Sequence, residues 1–369
     1  NNLGAGALIL ALALKICQEQ VALVHPSVEL LAKSIKVLDF NKAILDEGCH
    51  SLGKGLSKLL HLTSLSLKLV NNNAGAEGCQ SLADGLSKLL QLTSLSLDLS
   101  YNNRVGAAGC QSLGDGLSKL LQLTELTLAL EDNNVGDQGC HSLGDGLSKL
   151  LQLTELTLAL DDNNVGDQGC HSLRDGLSKL VQLTSLSLHL YDNNVGDQGC
   201  HSVGDGLSKL LQLTSLSLNL QSNHNVGDEG CQSLRDGLSK LLQLTSLSLN
   251  LGNNNVDAEG CQSLADGLSK LLQLTSLSLD LSYNNRVGAA GCQSLGDGLS
   301  KLLQLTSLSL DLDDNNVGDQ GCHSLGDGLS KLLQLTELTL KLSGNDVGDA
   351  AADALIDKLQ HVAYKDVYF

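Results

Sequence analysis

Cysteine, histidine, aspartate and serine are the side chains that most often do chemistry, and this sequence sets them at regular intervals. Cys49, Cys79, Cys110, Cys140, Cys170, Cys200, Cys231, Cys261, Cys292 and Cys322 fall 30 or 31 residues apart. Joined in pairs they would be disulfides; grouped with His141, His171, His201 and His323 they would hold zinc. The spacing suits neither. Equal intervals put each thiol at the same place in successive structural units, and neighbouring helices pack about 8–10 Å apart. A disulfide needs Cα atoms within about 7 Å, and zinc needs four ligands at about 2.0–2.3 Å. Buried free thiols are the expectation, and these fit a reducing compartment such as the cytoplasm.

The remaining chemistries fare no better. Turns such as Asp161-Asp162-Asn163-Asn164, with Asp167, offer oxygen ligands of the kind calcium takes. They lack the spacing of a calcium loop, and turn asparagines are expected to bond neighbouring backbone instead. A catalytic centre brings unlike residues together, whereas every Ser, His and Asp here has many equivalent copies. The glycines recur with a helix, at Gly139, Gly144 and Gly146, rather than in a phosphate-binding loop after a strand. The sequence predicts no enzyme, no metal, no cofactor and no small-molecule substrate.

The element that positions these residues is the stretch Gly139 to Val165, repeated with small changes along nearly the whole chain. A fixed period of this length marks a solenoid, in which each unit contacts only its neighbours. Within a unit Cys140, Leu143, Gly144, Leu147, Leu150 and Leu151 follow helical spacing, with Asp137 placed as N-cap. Asp145 with Lys149, and Asp205 with Lys209, are expected as ion pairs four residues apart. After Gln152 the period drops to two: Leu153, then Leu156, Leu158 and Leu160, a half-buried strand. Asp161 to Asn164 is the turn, and Val165 re-enters the core. Parallel strands stack at about 4.8 Å and helices at about 8–10 Å, so the stack must curve with its strands inside. The expected fold is α/β, a horseshoe solenoid with a concave parallel β-sheet and helices on the convex side.

The pattern resembles the ribonuclease-inhibitor-like class of leucine-rich repeats over about residues 35–360. The residues that carry the resemblance are the Leu153/Leu156/Leu158 strand, the Asn164-Val165 turn and the Gly169-Cys170-x-x-Leu173 helix start. It departs from that class at Leu160, which lengthens the strand by about two residues, as in repeats of many protist proteins. The resemblance implies protein binding. Members of the class inhibit nucleases, activate a Ran-type GTPase or sense ligands in innate immunity.

Composition narrows the partners. A net charge of −18 and only four arginines (Arg104, Arg174, Arg235, Arg286) argue against nucleic acid, which needs clustered cations. The same charge disfavours an anionic membrane surface. Three domains are expected: 1–34, a hydrophobic helix and irregular cap or partial repeat; 35–348, the repeat array; 349–369, a capping helix and tail. The apolar run 3–17 is too short for a confident membrane span and reads as a buried helix at a cap or interface, with a truncated membrane or signal segment as the alternative. The sequence has no Met, and Asn1-Asn2-Leu3-Gly4 matches Asn133-Asn134-Val135-Gly136, so the numbered chain is expected to begin within a longer array.

Comparing the repeats with one another locates a binding face. The strand residues between the leucines form a nearly uniform column of Ser and Thr. Beside it lie two columns that vary: Asp98, His189, Asn219, Asn250, Asp280 and Asp311 in one, Tyr191 and Asp313 in the next. A specific partner is expected there, with His189 and Tyr191 as an amphipathic centre and the Asp positions meeting basic groups. An undifferentiated solvated face is the other reading. The sequence thus predicts a non-enzymatic protein-interaction scaffold. The alternative is a structural component of a filamentous or cytoskeletal assembly joined end to end through residues 3–17 and Tyr364, Tyr368 and Phe369. The identity of Ala76–Thr124 with Ala258–Thr306 favours a structural role, or records a recent duplication.

Overall fold

The computed structural model describes residues 34–40, 44–101, 104–284 and 286–369. The expected N-terminal helix and cap lie outside the described residues, as does Cys17. Strands and helices alternate throughout: β1 Ser34–Asp39, α1 Leu45–Leu56, β2 Ser64–Lys68, α2 Ala76–Leu86, β3 Ser94–Asp98, α3 Gly106–Leu117. Next come β4 Glu125–Ala129, α4 Gly136–Leu147, β5 Glu155–Ala159, α5 Asp167–Leu177, β6 Ser185–His189 and α6 Asp197–Leu207. The chain continues with β7 Ser215–Asn219, α7 Asp228–Leu238, β8 Ser246–Asn250, α8 Ala258–Leu268, β9 Ser276–Asp280 and α9 Gly288–Leu299. It closes with β10 Ser307–Asp311, α10 Gly318–Leu329, β11 Glu337–Lys341, α11 Asp349–Lys358 and β12 Tyr364–Tyr368.

The described residues form two compact units, those up to 165 with 175–183, and those of 166–174 with 184–369. In the first, β1 to β5 pair in sequence order, all parallel. In the second, β6 to β12 do the same. The expected α/β solenoid is therefore present, and its hydrogen bonding runs past the strand ends. Leu130 N–H donates to Ala159 O (2.9 Å) and Asp132 N–H to Asp161 O (3.0 Å), so the longer ladder expected from Leu160 is formed.

The core is aliphatic. Leu156, Leu158, Leu160 and Val165 are buried with the helix residues Cys140, Leu143 and Leu147. All ten cysteines in the described residues are buried free thiols, and burial pushes that of Cys110 up to about 12. Helices approach closely through glycine. A Cβ on Gly146 would stand 2.6 Å from Gly114 O and 2.7 Å from its Cα, distances that no side chain tolerates, so the recurring Asp-Gly-Leu is a packing requirement.

Asparagine stitches one turn to the next. Asn163 Nδ2 donates to Leu130 O and to Asp161 O, both at 2.8 Å. Its Oδ1 accepts from the N–H groups of Asn133 and Val135, both at 3.0 Å. These amides are spent on backbone, as the turn reading expected. Turns with an added residue depart: His224 lies in the left-handed region (φ 59), and the buried Oδ1 of Asn254 in the following turn finds no donor, nor does that of Asn315 after the turn that carries Arg286.

Two local expectations are corrected. Asp137 is not the cap of its own helix: Val135 precedes α4, and no side-chain bond caps it. The equivalent aspartates reach the following helix instead, Asp197 Oδ1 accepting from Gly227 N–H (2.8 Å) and Gly230 N–H (2.9 Å). Asp46, Asp167 and Asp228 act alike. Leu151 is not in the core. The helix ends at Leu147, and beyond it the chain turns Leu150 inward and Leu151 outward, the first fully buried and the second 51% exposed. The expected helix-surface ion pair forms between Asp205 and Lys209 (3.2 Å), whereas Asp145 meets His141 (3.6 Å).

Candidate interaction surface

Period two decides which strand residues face out. In β6 and just after it, Leu186, Leu188 and Leu190 are buried, while Ser187, His189 and Tyr191 lie half-buried between them. Asp98 occupies the matching position in the first unit. His189, Tyr191, Asn219, Asn250, Asp280, Asp311 and Asp313 all belong to the second, where parallel register aligns His189 with Asn219, Asn219 with Asn250 and Asn250 with Asp280.

Five of these residues share a device that the sequence did not disclose. The Oδ1 of Asp98, Asn219, Asn250, Asp280 and Asp311 accepts the backbone N–H two residues on, at 2.9–3.2 Å. Short polar side chains make this Asx-type bond readily. It holds the side chain in one orientation. Ser282 Oγ adds a second bond to Asp280 Oδ1 (2.7 Å), and Ser100 Oγ does so to Asp98 Oδ1 (2.8 Å). Asn250 Nδ2 reaches Gln221 Oε1 (3.1 Å), and His189 Nε2 lies 2.8 Å from Ser187 Oγ.

The end of this face near β10 and β11 is a linked set of charges. Lys341 Nζ bonds Asp311 Oδ2 at 2.8 Å, and that bond holds the ammonium above its ordinary pKa. Asp313 Oδ1 accepts from Ser343 N–H (2.7 Å). Burial nonetheless raises the Asp313 carboxyl above the usual range, against the opposing pull of the Ser343 bond. A basic group approaching Asp311 therefore meets a carboxylate that already has a cation.

The helix side presents a different surface. The His141, His171 and His201 side chains are exposed, one per helix, and among the described residues no three His, Cys, Asp or Glu side chains gather as a metal site would. Next to the helices runs a stripe missed in the sequence: Leu60, Leu90, Leu121, Leu151 and Val181 in the first unit; the second has its own, Leu211 and its equivalents, each of these residues being 48–79% exposed. The signal was available in the doublet of Lys-Leu-Leu-Gln, of which only one leucine can point inward. Two turns were also missed. Tyr101 and Tyr283 are exposed at φ 60 and 58, a left-handed position held by Asp132, Asp162 and Asp192 elsewhere.

The family model described as "Leucine Rich repeat" matches residues 92–114, 213–234, 244–265, 274–296, 305–326 and 338–355. No curated protein matches the chain. Among solved structures, a chain of the Rad7 and Elc1 complex in yeast superposes with a TM-score of 0.52 at 18% identity, over 99% of this chain and 88% of that one. At that identity the likeness concerns the fold. No helix among the described residues is long and apolar enough to cross a membrane.

Proposed function

Since the chain is a leucine-rich repeat protein, we propose that it is a non-enzymatic scaffold that docks a protein partner on the outward strand face of its second unit. The observation that carries this reading is the set of Asx-type bonds. They hold Asn219, Asn250, Asp280 and Asp311 in place before any partner arrives, so binding orders few side chains, and that entropy would otherwise oppose association. The variation is concentrated in these columns beside a uniform Ser/Thr column, which is the distribution a reading surface needs. His189 and Tyr191 supply an amphipathic centre, and Asp280 and Asp313 favour basic or donor groups. Asp98 belongs to the same column in the first unit. The resemblance to complex-forming repeat proteins supports a protein rather than a nucleic acid or small molecule, and buried free thiols fit the cytoplasm.

The test is a pull-down with the full chain against the same chain carrying His189→Ser and Tyr191→Ser. Partners retained by the first and lost by the second support the sheet face. An unchanged set of partners rejects it.

A second reading, an assembly joined through its ends, rests on β12, where Tyr364 is 74% exposed and Tyr368 lies on the same strand. Residues 3–17, the other half of that reading, lie outside the described residues. Removing residues 361–369 should abolish concentration-dependent growth in mass if this reading holds.

A further inference from the structure

The segment Ala76–Thr124 recurs letter for letter as Ala258–Thr306, one copy in each compact unit. Each copy carries two unusual features. The first is a turn bearing an exposed tyrosine and an exposed arginine, Tyr101 with Arg104 and Tyr283 with Arg286. Tyr101, Arg104 and Tyr283 sit at positive φ, where an L side chain other than Asn, Asp or Gly costs about 1–2 kcal/mol. At the position of Tyr101 the other repeats carry Asn, Asp or Gly, except for Ser222, and at that of Arg104 they carry Asn or Asp where φ is positive, except for His224. A strained residue kept in both copies points toward use rather than packing, and Tyr and Arg are the types most enriched where interfaces concentrate their energy.

The second feature is a groove. Between α2 and α3 a cavity of about 440 Å³ is walled by Gln80, Asp84, Gln111 and Asp115 over Ala83 and Ala108, with Lys119 at one end. It is open because Ala108 stands where Gln138, Gln168, Gln198 and Gln320 stand in other repeats. Ala290 makes the same replacement in the second copy, and the local packing repeats: Gly116 lies against Ala83 as Gly298 lies against Ala265.

We propose that this segment is a self-association module, in which the Tyr–Arg turn of one chain seats in the groove of a second copy of the chain. The chemistry is complementary. Carboxylates of Asp84 and Asp115 suit a guanidinium, which they can hold by charge-assisted bonds, and the alanine floor suits the flat ring of tyrosine. In a chain of net charge −18 with four arginines, two of them occupy these turns, and the second copy offers the acidic surface they fit. Turn and groove are different patches, so the contact is heterologous, the kind that builds rings or open chains. Each chain carries two such turns and, by identity of sequence, the groove-forming residues twice. The proposal stands apart from the sheet-face reading, since none of its residues lies in the varying strand columns.

The experiment uses three full-length chains, each followed by sedimentation across a concentration series. The turn variant carries Tyr101→Asn, Arg104→Asn, Tyr283→Asn and Arg286→Asn, adopting a residue that other turns already use. The groove variant carries Ala108→Gln and Ala290→Gln, filling the groove with the side chain other helices already bear. Both should fold as well as the parent, which circular dichroism checks. The parent should grow in mass with concentration, and each variant alone should associate at least about tenfold more weakly, the scale of hot-spot loss. Mixing the two variants should restore association, because one retains grooves and the other turns. A parent that stays monomeric, variants that associate like the parent, or a mixture that fails to recover would each overturn the proposal.

Discussion

Asp197 lies in one helix and caps another. Its Oδ1 accepts from Gly227 N–H and Gly230 N–H at the start of α7, 2.8 and 2.9 Å away. The first-turn N–H groups of a helix have no partner within it, and here the preceding repeat provides the acceptor. Asp197→Ala should lower stability by about 1–2 kcal/mol, the range for a lost N-cap. Asp197→Asn keeps an oxygen in place and should lose less. Thermal denaturation of the two variants beside the parent measures the difference.

The turn at His224 offers the opposite test. The added residue leaves Asn254 Oδ1 buried with no donor, although the equivalent oxygen of Asn163 accepts two. Deleting His224 returns the turn to its shorter form. Stability should rise by about 1 kcal/mol, the scale of one buried hydrogen bond regained. A fall in denaturation midpoint would show that the extra residue is accommodated some other way.

The cysteine column predicts an alkaline limit. Burial pushes the thiols of Cys110 and Cys292 from 9.0 up to about 12, so the folded chain holds protons that the unfolded chain releases. A raised folded pKa contributes stability that is intact below pH 9 and is lost as pH climbs from 9 toward 12. Urea midpoints should hold steady to about pH 9 and then fall. A thiol reagent at pH 8 should label none of the ten cysteines until denaturant is added.

Asp257 stands where Gly196 and Gly227 stand in neighbouring repeats, beside the Asp228 carboxylate. Burial raises the Asp228 pKa, and the Asp257 side chain and charge raise it further. A raised carboxyl favours folding below its unfolded pKa and less above it. Asp257→Asn keeps the cap to Glu259 N–H (2.7 Å) while removing one charge. It should stabilise by about 0.5 kcal/mol at pH 7, small because the site is largely open to solvent, and by nothing near pH 3. Denaturation at the two pH values decides it.

The fold was legible because its signals are short and periodic. Leu156, Leu158 and Leu160 at spacing two, and Cys140, Leu143 and Leu147 at helical spacing, each determine a face without reference to distant residues. What escaped was whatever depends on the neighbouring repeat. Nothing local says that Asp137 lies past the start of its own helix, or that Asp197 serves the next one. Leu151 was misplaced for a related reason: helical spacing was extended past Leu147, where the helix has ended. The varying columns could be found by comparing repeats, but the bond from Asp280 Oδ1 to Ser282 N–H needs the strand's end to be known. Tyr101 was invisible as a strained residue until its φ was.

The backward-reaching asparagine recurs from joint to joint, at Asn163, Asn223, Asn284 and Asn345, and the forward-reaching aspartate stands before both copies of the duplicated segment, as Asp46 and as Asp228. A block cut at one joint and pasted at another meets partners it already knows, which is how Ala76–Thr124 and Ala258–Thr306 can sit in different surroundings without a change of letter. Length is thus a quantity that recombination can adjust in whole repeats, leaving stability per repeat unchanged while the number of copies of any surface rises or falls.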